Sequence, residues 1–176
     1  MTPEHIALIS VVGAALFASV ATDLLFRRIL DAVTYPALVL GLGIRFFTEG
    51  LGDGEHGLLS GVLGAGLSAA VLAFFAWRGR MGWGDVKLMA AVGAAFGYPL
   101  ALAALVFTSL AGALQAVVTL MWQGAVWDTL LGVGRRLAER VKLLPGAVQG
   151  AQRHIPYGVA IALGSLWAMW WEHTRT

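Results

Sequence analysis

Two aspartates stand out in a chain that otherwise avoids charge. Asp23 falls near the end of an apolar run, about Ile6 to Phe26, and Asp85 lies in "RMGWGDVKLM", Arg80–Met89, where one apolar stretch gives way to the next. An ionisable group at the centre of a membrane helix costs about 2.5–3.5 kcal/mol on insertion scales, and less near a helix end. Each carboxylate therefore needs a reason. Two neighbouring carboxylates cannot both ionise cheaply, so they share a proton and titrate as a pair. The ionised member can take a proton from water while the protonated member polarises a peptide carbonyl. That is aspartyl hydrolysis, and it requires neither metal nor covalent intermediate. Gly82 and Gly84 beside Asp85 would let backbone approach the carboxylate and let an extended peptide lie alongside. Two plainer readings stay open: Asp23 as the partner of Arg27 one helical turn on, and Asp85 as a cap on the helix that follows the glycines.

Other chemistries find little support. The absence of cysteine rules out disulfides, Cys-ligated zinc and thiol nucleophiles. His5, His56, His154 and His173 are scattered, and no H-E-x-x-H occurs. "GLSA", Gly66–Ala69, lacks the closing glycine of a serine-nucleophile elbow. No phosphate loop or nucleotide fingerprint is present. No cofactor, metal or nucleic acid partner is expected.

The elements that must position the pair follow from composition. Of 176 residues, 59% are hydrophobic and only 12% charged, and the mean hydropathy is +0.77. Too little charge is available to cover a soluble domain of this size. The runs are continuous rather than alternating, which favours helices over a β-barrel. The expected class is an all-α integral membrane protein, one polytopic domain over residues 1–176. Six transmembrane spans are predicted, at about 6–26, 32–47, 58–77, 85–96, 100–122 and 155–171. The forty residues from Leu88 to Trp127 carry no formal charge, twice what one crossing needs, and "GYP" (Gly97–Pro99) supplies the turn within them. Arg27 and Arg28 follow the first run instead of preceding it, the reverse of a signal peptide, so that run reads as a retained span.

With the N-terminus outside, ten of the twelve Lys and Arg residues fall on the cytoplasmic side, leaving Arg45 and Arg175 on the other. This positive-inside bias predicts an N-out, C-out topology. It also brings Asp23 and Asp85 to the same face at similar depth. Trp167, Trp170 and Trp171 suit an outer aromatic belt. Between the last two spans, Val126, Leu130, Val133, Leu137, Val141 and Leu144 recur at helical spacing among Arg135, Arg136, Arg140 and Lys142. That pattern predicts a basic amphipathic helix over about 126–144, either an anchor on an anionic leaflet or a substrate contact. The glycines of "GVLGAG" read as helix packing.

"GWGDVKLM", Gly82–Met89, resembles the G-x-G-D-V-K-L signature of the type IV prepilin leader peptidases, membrane aspartyl proteases of the GxGD type. "DLLFRRILD", Asp23–Asp31, is similar to that family's D-x-x-x-R-R-I-P-N stretch, with Leu30 in place of Pro and Asp31 where Asn is frequent. "IPYGVAIALG", Ile155–Gly164, resembles its P-x-G-x-A-I-x-x-G segment. The resemblance implies that Asp23 and Asp85 are catalytic, with Asp31 as a rival carboxylate, and that Gly82, Gly84 and Lys87 belong to the active-site motif. For Lys87 two roles are open: reaching lipid phosphates or positioning substrate. Arg27, Arg28, Pro156 and Gly158 become candidate substrate or lipid contacts. The implied substrate is a prepilin or prepilin-like protein, whose short basic leader is cut from an apolar helix at the cytoplasmic face of a bacterial inner membrane. Without the cysteine-paired segment of larger members, the chain resembles the short, peptidase-only form of Flp-pilus and tight-adherence systems, and methylation of the new N-terminus is not expected of it. Two other classes stay open: a small transporter or channel subunit with the aspartates on an ion path, and an inactive scaffold of a pilus or secretion machine.

Overall fold

The computed structural model describes residues 3–26, 28–51, 57–79, 81–122 and 157–174. Among these are six helices and no strand: α1 (Pro3–Phe26), α2 (Asp31–Glu49), α3 (Leu58–Trp77), α4 (Trp83–Phe96), α5 (Leu100–Trp122) and α6 (Tyr157–His173). The all-α expectation holds. Three helices, over Ile6–Phe26, Leu58–Trp77 and Leu100–Thr119, are long and apolar enough to cross a membrane. The other three fall short for definable reasons. α2 contains Asp31, Arg45 and Glu49. α4 and α6 have 14 and 17 residues, about 21 and 26 Å at the rise of an α-helix, against a hydrocarbon core of about 30 Å. The amphipathic helix expected over 126–144 lies outside the described residues.

Two compact units are distinguished, one comprising Met1–Gly112 with Pro156–Thr176 and the other Ala113–Ile155. The described part of the second is the end of α5, with Leu114, Val117, Val118, Met121 and Trp122 exposed. All remaining description concerns the first unit.

α4 is the centre of the first unit. From Asp85 to Phe96 every residue except Lys87 is buried, on all sides of the helix. A helix apolar all round is a core helix, and α4 packs against α1, α2, α3 and α6. Its neighbours bury single stripes instead. Val12, Ala15, Leu16, Ser19 and Asp23 form that stripe on α1, and Ser60, Gly61, Gly64, Ser68, Leu72 and Ala76 on α3. The opposite faces present Phe17, Phe47, Phe74 and Trp77 outward. That much exposed apolar surface suits lipid, not water.

Close approach between α3 and α4 depends on glycine. A Cβ on Gly64 would collide with the Gly93 carbonyl oxygen, and one on Gly93 with that of Gly64. The "GVLGAG" glycines thus pack helices, as the sequence suggested, except Gly66, which faces open space. α4 stops at Gly97, whose φ of +68° is a left-handed conformation that glycine adopts without strain. The Tyr98–Pro99 peptide that follows is cis, and α5 begins at Leu100, where the "GYP" signal placed the break.

Candidate active site

Asp23 lies in the last turn of α1 and is 4% exposed. Its Oδ2 accepts a hydrogen bond from the backbone N–H of Gly158, at 2.9 Å. Gly158 is the second residue of α6, where backbone N–H groups have no partner within the helix and point at whatever precedes it. The contact is tight: a Cβ on Gly158 would stand 2.9 Å from Asp23 Oδ2 and 3.3 Å from its Cβ. Gly158, predicted as a substrate or lipid contact, is buried against Asp23.

Asp85 is the third residue of α4 and is 9% exposed. Gly82 caps the helix in an extended conformation, φ −74° and ψ 145°. The Asp85 carboxylate folds back over it, since a Cβ on Gly82 would stand 3.2 Å from Asp85 Oδ2. An acid at this position complements the positive end of the helix dipole. The carboxylate therefore lies beside the N-cap glycine, which is exposed. Gly84 serves differently. A Cβ there would be 2.9 Å from the Cβ of Ile29, so the absence of a side chain lets the chain leaving α1 lie directly on the first turn of α4.

Asp23 sits one turn before the end of α1 and Asp85 next to Gly84, against which Ile29, three residues beyond α1, is packed. α6 adds its N-terminus through Gly158, and α1 packs against both α4 and α6. Leu30 is the extended N-cap of α2, φ −80° and ψ 129°, a conformation close to what a proline would impose. Asp31 opens α2 and is bonded to Lys87, 2.7 Å from its Nζ. Lys87 is thus occupied by a protein carboxylate. Arg28 is exposed; Arg27 and Pro156 lie outside the described residues. Among the described residues, no cluster of three His, Asp or Glu side chains is placed to hold a metal ion.

Two further polar features escaped the sequence reading. Ser19 is fully buried one turn before Asp23 on the same face of α1, and its hydroxyl has no hydrogen-bond partner. At the opposite end of α4, Arg45 is 3% exposed and donates from Nε and a terminal nitrogen to the Ala95 carbonyl, at 3.3 and 2.8 Å. The sequence placed Arg45 near the end of its span without a partner. A cation there complements the negative end of the α4 dipole, as Asp85 complements the positive end.

An all-helical bundle with three helices apolar enough to cross a membrane and two buried aspartates, near the end of α1 and the start of α4, defines the class: a helical membrane protein. The sequence profile of the type IV leader peptidase family matches residues 10–117, or 108 of the 176 residues, and the chain belongs to that family. The matched region contains Asp23 and the whole of Gly82–Lys87, and ends before Gly158. No curated protein and no solved structure matches the chain.

Proposed function

We propose that the chain is an aspartyl endopeptidase that removes the leader from prepilin-like proteins, with Asp23 and Asp85 as its catalytic pair. One carboxylate takes a proton from water; the other, protonated, polarises the scissile carbonyl, and the resulting hydroxide attacks it. The protonated carboxyl then protonates the leaving amine, which returns the pair to a single shared proton. Gly158 orients Asp23 through its N–H. Gly82, exposed beside Asp85, keeps a side chain away from the carboxylate so that an extended substrate backbone can reach it, while Gly84 makes room for Ile29.

The observation that carries this reading is the burial of both aspartates, near the end of α1 and the start of α4, where Ile29 packs against Gly84. Six crossings with both termini outside would put that end of the bundle at the cytoplasmic face of the inner membrane. A prepilin, with its leader in the cytosol and its apolar helix in the bilayer, then presents the scissile bond at the same depth. Short α4 and α6 fit such a site, because their ends lie inside the bilayer thickness and admit water to the carboxylates.

The experiment is incubation of the protein in detergent with a prepilin carrying its leader, read by product mass, with and without EDTA. A single cut after the leader, unchanged by the chelator, is expected. No cut, under conditions where a known prepilin peptidase processes the same substrate, would refute the substrate assignment. Inhibition by EDTA that is reversed by added metal would refute the two-carboxylate mechanism.

A further inference from the structure

The first turn of α4 is tied to the start of α2 by contacts that the cleavage chemistry does not use. Lys87 Nζ donates to both carboxylate oxygens of Asp31, at 2.8 and 2.7 Å, and stands 5.0 Å from the centre of the Tyr35 ring. Asp31 and Tyr35 are one turn apart on α2, so they present one edge to the ammonium. An aromatic face at that distance attracts a cation. Beside this cluster, Ile29 lies against Gly84. Only the short stretch 27–30 separates the end of α1 from Asp31, and Lys87 is two residues from Asp85. Whatever fixes Asp31 to Lys87 therefore restrains both chain segments that carry the buried aspartates.

We infer that Asp31, Lys87 and Tyr35 form a latch that sets the end of α1 against the first turn of α4, which makes Asp31 and Lys87 positioning residues for the Asp23/Asp85 pair. The functional part of this inference rests on the catalytic reading of that pair. The side chains are 31% exposed for Lys87 and 58% for Asp31, and such pairs contribute little to global stability. Their effect is local. The latch selects among arrangements of two helix ends, and a misplacement of about 1 Å can cost about 10²-fold in rate. Loss of the latch should lower turnover while leaving thermal unfolding nearly unchanged.

The chain has no cysteine, so spin labels on Arg28→Cys and Trp83→Cys, both exposed positions, report this separation without background. In nanodiscs the labelled parent should give one narrow distance distribution. Asp31→Ala and Lys87→Met should each widen it about twofold, and Lys87→Arg, which keeps a donor pair for the carboxylate, should restore it. Unchanged widths in both Asp31→Ala and Lys87→Met overturn the latch. In prepilin cleavage, each of those variants should lower kcat about three- to tenfold at constant KM, and the double variant should lose no more than either alone. Asp31→Asn, which retains an acceptor for Lys87, should keep most activity. Losses that multiply in the double variant also overturn the latch. Should the unmodified protein fail to cut, the catalytic reading falls, and the distance measurement still decides the latch.

Discussion

Gly158 reaches Asp23 across 135 positions of sequence, and this single backbone contact shows what side-chain chemistry alone leaves out. The two aspartates were legible because an ionisable residue in an apolar run has a cost, and a cost needs a cause. The donor to Asp23 was not legible, since a glycine N–H carries no chemical mark in the sequence; Gly158 was assigned to substrate or lipid. Gly158→Ala should therefore displace the carboxylate, because the new Cβ would lie 2.9 Å from Oδ2. The expected result is a fall in kcat of about ten- to a hundredfold with normal membrane insertion, measured by prepilin cleavage. Ser19 was hidden for a related reason. Ser10, Ser109 and Ser165 all donate to the carbonyl four residues back, the usual fate of a serine in an apolar helix. Only the fold shows that the Ser19 hydroxyl, like that of Ser68, makes no such bond.

At the scale of elements, α4 organises the rest. Its ends were readable to within two residues, because Gly82 and Gly97 are strong helix boundaries. Its central position was not, since α3 and α5 are uncharged runs as well and only the fold shows α4 buried on all sides. Nor was Arg45, because its partner is the backbone carbonyl of Ala95, and carbonyls are invisible in a sequence pattern. The α3–α4 contact yields a prediction with an internal control. Gly64→Ala pushes a methyl into the Gly93 backbone, whereas Gly66→Ala points into open space. The first should destabilise by about 1–3 kcal/mol through overpacking. The second should be neutral or stabilise by up to about 1 kcal/mol through helix propensity. Thermal unfolding in detergent distinguishes the two; equal effects would contradict the described helix contact.

For the whole molecule, charge asymmetry and helix ends combine into one geometry. The expected six crossings rest on the sequence, and three helices meet the length and composition needed to cross independently. If α4 and α6 also cross, their 14 and 17 residues are too few to reach both interfaces unaided, and neighbouring helices would have to cover their ends. If both termini lie outside, Trp83→Cys should react with an impermeant thiol reagent from the cytoplasmic side of inverted vesicles; reaction from the outside of intact cells would reverse the topology. The reading of the molecule as a leader peptidase converges on Asp23 and Asp85, and a direct measurement addresses both. Membrane-inserted Asp23→Asn and Asp85→Asn should each lose prepilin cleavage by at least about 10³-fold, judged from product masses beside the parent protein. Cleavage persisting in both variants would show that this pair does not carry the reaction.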